Sequence, residues 1–180
     1  HELWMKALAL QDDAGRRAVL ITSDFQGVPK SMSDRVFAHL QEQFGLKRHQ
    51  VMFTFSHNHC GPRLGDDLVD YYPVEEEQEK LVAEYTDRMV SRSVKMVGEA
   101  LSRLAPARLA TGEGKTTFAV NRRNNREAEV PELLAQGIPL KGPVDHSVPV
   151  LTVTRPDGKL EAILFGYACH ATVLSFYQWS

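Results

Sequence analysis

Residues 31–62 read SMSDRVFAHLQEQFGLKRHQVMFTFSHNHCGP, and this stretch decides the fold. Its first half, Ser31–Phe44, repeats apolar residues at helical spacing and then meets a glycine, which predicts an amphipathic helix with Ser31 or Ser33 as its N-terminal cap. Its second half, Gln50–Phe55, is a short apolar run that predicts a buried strand. The run changes abruptly into a polar turn, so the paired histidines are expected at the carboxyl end of that strand.

The segments on either side continue the alternation of strands and helices. Met5–Leu10 and Arg17–Ser23 are apolar and β-branched runs separated by the turn cluster Asp12–Gly15, which predicts a hairpin or meander. Val74–Leu104 repeats apolar residues every three or four positions, and glutamates fill its start, where the helix dipole favours anions. This pattern predicts a long amphipathic helix.

The last third of the sequence is rich in strand and turn signals. Ala107–Gly112 and Thr116–Val120 are predicted strands, and the polar stretch Asn121–Pro143 is predicted to be a long loop with one short helical turn. Two further apolar runs, Val148–Thr154 and Leu160–Ala168, flank Pro-Asp-Gly and predict a second hairpin. These elements together predict an α/β fold in which a mixed β-sheet is layered with helices, as a fragment of a larger domain.

The composition narrows the class of protein. The chain has 180 residues, of which 43% are hydrophobic and 24% charged, as is typical of a globular protein. Its formal net charge of −2 provides no basic surface for a phosphate backbone, so a nucleic-acid partner is not expected. No apolar run approaches the roughly 20 residues that span a bilayer, and no transmembrane segment is expected.

The histidines that follow two predicted strands form the main candidate site. His57 and His59 lie two residues apart, so on an extended backbone their rings would point the same way. His170 follows the last predicted strand, and functional groups collect at such strand ends. Neutral imidazoles held by rigid elements are suitable ligands for zinc. Asp24 ends a third strand and could accept a hydrogen bond from a ligand histidine, or could simply be a turn or cap residue.

Three other residues carry alternatives that the sequence leaves open. Arg122 follows a predicted strand and could hydrogen-bond an oxyanion or carboxylate, or belong to a solvated surface run. Cys60 could be a nucleophile activated by His59 or His170, since an adjacent imidazolium lowers the pKa of a thiol. Cys60 and Cys169 could instead form a disulfide that joins two strand ends in a non-catalytic domain.

Four ordered motifs resemble the neutral/alkaline non-lysosomal ceramidase family, in its N-terminal catalytic domain. They are Ser-His-Asn-His-Cys-Gly-Pro at 56–62, Ala-Val-Asn-Arg at 119–122, Val-Asp-His-Ser-Val-Pro-Val-Leu at 144–151 and Tyr-Ala-Cys-His-Ala-Thr at 167–172. The similarity extends through nearly the whole chain, and residues 1–180 would form part of a single catalytic domain truncated at both ends. The resemblance favours a secreted or periplasmic location.

The resemblance also implies roles for individual residues. His57 and His170 would be ligands of Zn²⁺, His59 a substrate-side acid or base, and Arg122 a contact to the substrate amide or developing oxyanion. The remaining zinc ligands and a catalytic serine would lie beyond Ser180. The implied function is zinc-dependent hydrolysis of an amide, with N-acylsphingosine (ceramide) or a related lipid amide as the substrate. A metal-activated water would be the nucleophile.

The chain departs from the family pattern around the paired histidines. Asn58 and Cys60 occupy positions where the family usually has threonine and serine, and residues 63–67 replace a glycine-rich continuation. Asn-Arg-Arg-Asn at 121–124 replaces Asn-Arg-Ser-Pro. These departures affect the expected substrate more than the expected metal.

Overall fold

Six strands and three helices form within residues 2–71 and 73–170, which the computed structural model describes. These residues divide into two compact units, 2–104 and 105–170. The predicted α/β class is confirmed, but the strands form two separate three-stranded sheets, one in each unit, where one mixed sheet was expected. The expectation of a single catalytic domain stays a prediction.

The first unit is built on a mixed sheet of order β1-β2-β3. Strands β1 (Met5–Gln11) and β2 (Arg17–Ser23) pair antiparallel, and β2 pairs parallel with β3 (Val51–Phe55). The β1-β2 turn forms because the Asp12 carboxylate accepts the backbone N–H of Ala14 at 3.1 Å and that of Arg16 at 2.8 Å. The predicted hairpin is therefore confirmed.

Helix α1 (Lys30–Phe44) connects β2 to β3 and completes a βαβ unit. It ends at Gly45, whose φ of 65° is the left-handed conformation that glycine adopts readily. The predicted serine cap is wrong, because the capping position is Pro29 and its fixed backbone already leads into the helix. The Ser31 hydroxyl instead bonds Asp66, and that of Ser33 donates to the Lys30 carbonyl at 3.0 Å.

Helix α2 (Glu76–Ser102) confirms the predicted long helix and covers the same side of the sheet as α1. The sheet residues that face the helices alternate along each strand, as the two-residue period of a half-buried strand requires. In β3, Val51 is buried, whereas Met52 on the opposite face is 59% exposed, so the strand is half-buried and not fully buried as predicted. The core of this unit is Val19, Ile21, Phe25, Met32, Val36, Leu40, Leu46, Val51, Leu64, Met89, Val90, Val94 and Val97.

The second unit contains an antiparallel sheet of order β4-β5-β6. Its strands are β4 (Arg108–Lys115), β5 (Ser147–Thr154) and β6 (Leu160–Phe165), and the predicted β5-β6 hairpin turns at Gly158, where φ is +83°. Between β4 and β5 lie a 3-10 turn, Glu127–Glu129, and helix α3 (Val130–Ala135). The long loop with a short helical segment is thus confirmed.

Two predictions for this unit are wrong. Residues 116–120 do not form a strand, because their backbone groups have no strand partner. They bond instead to the Tyr167 hydroxyl and to the carbonyl of His146. Strand β6 ends at Phe165 and not at Ala168, so four irregular residues separate it from His170. No helix within the described residues has the length and apolar character needed to cross a membrane.

Candidate functional site

The carboxyl ends of the parallel strands β2 and β3 lie side by side and carry the first group of candidate residues. The ladder continues one step past the strands, where the Ser56 N–H donates to the Ser23 carbonyl at 2.9 Å. Residues 24–26 follow β2 and residues 56–60 follow β3. In α/β proteins this edge of the sheet is where binding and catalytic groups gather.

His57 adopts an uncommon backbone conformation, with a φ of 59° in the left-handed region. Its Nδ1 lies 2.6 Å from the backbone carbonyl oxygen of Gln26. A carbonyl can only accept, so Nδ1 carries the ring proton and the lone pair of the neutral ring is on Nε2. Metal-ligating histidines typically have this arrangement, in which one ring nitrogen donates to a fixed acceptor and the other offers its lone pair.

His59 lies directly beside His57. The ring centroids are 4.7 Å apart and the planes are nearly perpendicular at 85°, and one nitrogen of each ring lies within 4.8 Å of the other. The two histidines therefore come together as predicted, but not for the predicted reason. The backbone is not extended at His57, and the left-handed turn there brings the rings together.

Asp24 joins the ends of three strands. Its carboxylate accepts the backbone N–H of Trp4 at 3.0 Å and the hydroxyl of Ser56 at 3.3 Å, while its own N–H donates to the Trp4 carbonyl at 2.9 Å. Asp24 thereby holds the residue that precedes His57. The acceptor at His57 Nδ1 is the carbonyl of Gln26, two residues further on, so a direct role of Asp24 toward a ligand histidine stays a prediction.

Cys60 closes the turn after the histidines. Its backbone N–H donates to the Asn58 side-chain oxygen at 2.8 Å, and its half-buried thiol is free. A cysteine nucleophile at Cys60 with His59 or His170 as its base stays a prediction. Cys169 is an exposed free thiol, and a disulfide between described residues is absent.

Residues 63–67 replace the family's glycine-rich continuation and are anchored to the helices. Leu64 is buried in the core, and the Gly65 N–H donates to the Thr86 hydroxyl oxygen at 2.8 Å. The largely buried Arg63 forms an ion pair with Glu79 at 2.5 Å. The loop that follows the histidines is therefore fixed to α2 at both polar and apolar positions.

The second unit brings together Arg122 and His170. The Arg122 Nη2 donates to His170 Nδ1, and its Nη1 lies 3.4 Å from the Glu127 carboxylate. These bonds leave the Nε hydrogen and one hydrogen on each terminal nitrogen for an oxyanion. Arg122 follows an irregular segment and not the predicted strand, and its side chain is exposed, so the choice between an oxyanion contact and a solvated surface residue stays open.

The remaining histidines behave largely as structural or surface residues. Asp145 accepts both the backbone N–H and the hydroxyl of Ser147, and these hydrogen bonds lower the pKa of its carboxyl. Asp145 therefore shapes the entry to β5 and does not orient the ring of His146. Within the described residues the buried Nδ1 of His146 has no hydrogen-bond partner. His39 and His49 are exposed.

Sequence reasoning did not find three groups that organise these residues: the Gln26 carbonyl, the Tyr167 hydroxyl and the Asn125 amide. A backbone carbonyl gives no sequence signal. Asn125 is buried, donates to the carbonyls of Asn121 and Lys141 at 2.8 Å each, and accepts the Lys141 N–H at 2.9 Å. The unusual run Asn-Arg-Arg-Asn-Asn was the signal for this network.

The fold and the residues at the strand ends define an α/β protein with two adjacent histidines at the carboxyl edge of its first sheet. Comparisons with known proteins make the assignment more specific. The sequence profile of the neutral/alkaline non-lysosomal ceramidase N-terminal region matches residues 1–178. The chain belongs to this family, and the resemblance stated from its motifs is confirmed.

Solved structures agree with this assignment at the level of the fold. A ceramidase complexed with C2 is 21% identical and superposes with a TM-score of 0.73, covering 98% of this chain and 27% of that one. A neutral ceramidase from Pseudomonas aeruginosa is 21% identical with a TM-score of 0.72, covering 98% and 28%. The chain thus spans little more than a quarter of these proteins. No curated protein matches it.

Proposed function

We propose that this chain is part of a zinc-dependent amidohydrolase that cleaves N-acylsphingosine or a related lipid amide. The observation that carries the proposal is the hydrogen bond between His57 Nδ1 and the Gln26 carbonyl, found in a member of the ceramidase family. This bond fixes the tautomer in which the lone pair of His57 is on Nε2, where a metal could bind it. The backbone of His57 is also left-handed, and local strain of this kind concentrates at functional sites.

In this proposal His57 and His170 hold the ion. A bound zinc ion would supply Lewis acidity, which lowers the pKa of water toward about 7 and polarises an amide carbonyl. His57 already has its lone pair on Nε2. A neutral His170 that accepts from Arg122 at Nδ1 carries its proton on Nε2, so binding an ion through that atom requires the other tautomer and the loss of the Arg122 hydrogen bond.

His59 and Arg122 would perform the proton transfer and the charge stabilisation. His59 is exposed next to His57, where it would take a proton from water and return it to the leaving amine, a contribution of roughly 10²- to 10⁴-fold. Arg122 would donate its remaining N–H groups to the negative charge on the tetrahedral intermediate.

The proposed substrate class rests on the family, but the residues next to the paired histidines differ from the family pattern. Asn58, Cys60 and the anchored loop at 63–67 differ from the family pattern next to the paired histidines. We therefore propose an N-acyl amide with an apolar acyl chain as the substrate class, with ceramide as its first test compound.

The decisive experiment uses the full-length protein that contains this chain. Metal content is measured by elemental analysis, and hydrolysis of N-acylsphingosine and of a short-chain N-acyl amide is followed with and without a chelator. We expect zinc in the purified protein, loss of turnover with the chelator and its return with zinc. His57→Ala should lose both zinc and turnover, whereas His59→Ala should lose turnover and keep most of the zinc.

The matched control is His39→Ala, because His39 is an exposed histidine of α1 away from the strand ends. It should retain both metal and activity. Equal zinc content in wild type and His57→Ala would refute the proposed ligand set. Turnover that survives the chelator but is lost on thiol alkylation would favour the cysteine-nucleophile alternative.

A further inference from the structure

Tyr167 is a half-buried residue whose hydroxyl makes two hydrogen bonds in the second unit. The hydroxyl accepts the backbone N–H of Ala119 at 3.0 Å and donates to the carbonyl of Thr116 at 3.2 Å. Its ring packs edge-on against Phe118, with centroids 4.7 Å apart. One side chain therefore holds both ends of the segment 116–119.

This segment leads directly to Arg122 and has few other restraints. It has no β-ladder, and within the described residues its Thr116 N–H donates to the His146 carbonyl at 3.1 Å. Beyond it, the Asn125 amide fixes residues 121 and 141, and Asn121 Nδ2 donates to the Pro143 carbonyl at 2.9 Å. Arg122 thus lies between two anchored points, one made by Tyr167 and one by the asparagines.

Tyr167 also lies three residues before His170 on the irregular segment that follows β6. The Tyr167 side chain therefore connects the segment that carries Arg122 to the segment that carries His170. Because each of these residues sits on an irregular segment, neither position is fixed by a sheet. The hydrogen bond between Arg122 Nη2 and His170 Nδ1 depends on both segments being held together.

We propose that Tyr167 is a positioning residue that fixes Arg122 against His170 in the metal-free protein. The inference rests on the proposed function for its consequence in catalysis, but the positioning itself is a property of the metal-free protein. Tyr167 acts through these two residues and has no assigned contact with substrate.

The first test is spectroscopic and does not require activity. In the metal-free full-length protein with ¹⁵N-labelled histidine, the His170 ring of wild type should show one tautomer, with the proton on Nε2. Tyr167→Phe keeps the ring and removes the hydroxyl, so His170 should show a mixture of both tautomers. An unchanged His170 spectrum in Tyr167→Phe would overturn the proposal.

A matched control separates positioning from a general loss of stability. Tyr85→Phe also removes a tyrosine hydroxyl, from a half-buried ring whose hydroxyl has no hydrogen bond within the described residues, and it should leave His170 unchanged. If Tyr167→Phe does not fold, 3,5-difluorotyrosine at position 167, studied at a pH where its more acidic phenol is still protonated, weakens the hydroxyl as an acceptor while keeping its place. It should shift the His170 tautomers in the same direction, and a wild-type spectrum would contradict the proposal.

The second test is a double-mutant cycle on turnover. Tyr167→Phe should lower kcat by roughly ten- to a hundredfold through misplacement of Arg122, with little change in KM. In an Arg122→Met background the same change should have almost no further effect, because its target is gone. Multiplicative losses would show that Tyr167 acts independently of Arg122 and would overturn the inference. If no amide is hydrolysed, the proposed function fails while the tautomer test still decides the role of Tyr167.

Discussion

His57 combines a strained backbone with a fixed side chain. A left-handed conformation brings Cβ close to the following carbonyl and costs a non-glycine residue about 1–2 kcal/mol. The chain retains it because the turn aims the ring at the Gln26 carbonyl and beside His59. Strain of this kind persists when surrounding contacts over-determine it, and it supports a functional assignment for this residue.

The strained backbone at His57 predicts which substitutions at this position destabilise the protein most. Asparagine tolerates left-handed φ values, whereas a β-branched residue does not. His57→Val should therefore reduce the free energy of unfolding of the metal-free protein by about 1–2 kcal/mol more than His57→Asn, measured by urea denaturation. The same pair of substitutions at His59, where φ is not positive, is the control and should show no such gap.

Asp66 is a carboxylate whose ionisation is coupled to the fold. Hydrogen bonds from the Ser31 hydroxyl and from its own backbone N–H lower the pKa of its carboxyl below the usual 3.8. Because the folded-state pKa is depressed, the contribution to stability is present above the unfolded pKa. It is lost as the pH falls through the folded pKa.

This linkage predicts the effect of Ser31→Ala. The pKa of Asp66 should rise toward 3.8, followed as a carboxyl ¹³C titration, and the stability contributed above that pH should decrease. At a pH where the carboxyl is protonated in both folded and unfolded chains, the effect of this linkage should vanish. Ser33→Ala, which removes a hydroxyl that donates to the Lys30 carbonyl, should leave the Asp66 titration unchanged.

At the scale of elements, the first unit is organised by the β2-α1-β3 crossover. The crossover makes β2 and β3 parallel, and parallel strands place their carboxyl ends at one edge of the sheet. Helices α1 and α2 cover one face and bury the apolar positions that the sequence repeats at helical spacing. The site residues after β2 and β3 are thus positioned by the packing of this layer.

The burial of α1 predicts how much a core substitution in this helix destabilises the protein. Leu40 is fully buried, so Leu40→Ala should reduce the free energy of unfolding by about 2–5 kcal/mol through lost transfer energy and the cavity left behind. Leu81→Ala is the matched control, since Leu81 lies on α2 with 60% of its surface exposed. Equal effects in chemical denaturation would contradict the packing described here.

At the scale of the whole molecule, the state of the two cysteines tests the interpretation of the protein as a disulfide-linked, non-catalytic domain. Both thiols are free in the described residues, one half-buried at position 60 and one exposed at position 169. After denaturation without reductant, alkylation should modify both Cys60 and Cys169, as read by peptide mass spectrometry. In the folded protein Cys169 should react before Cys60. Modification of Cys60 and Cys169 only after a reductant is added would restore the disulfide interpretation.

Long periodic segments were predicted well from the sequence because their local pattern and their burial agree. The hairpin at the start, both long helices and the β5-β6 hairpin all appear within a few residues of the expected bounds. Residues 116–120 were mistaken for a strand because an apolar run carries no information about its hydrogen-bond partner. In this chain the partner is the Tyr167 hydroxyl, about fifty residues away.

The sequence by itself determined the α/β class, the family and the identity of the candidate residues, because periodicity and motif order are properties of the chain alone. Only the tertiary structure decided which groups hold these candidate residues in position. The Gln26 carbonyl, the left-handed turn at His57 and the Tyr167 hydroxyl depend on contacts between segments distant in sequence. Such contacts form when the strands and helices pack, and no local pattern of residues specifies them.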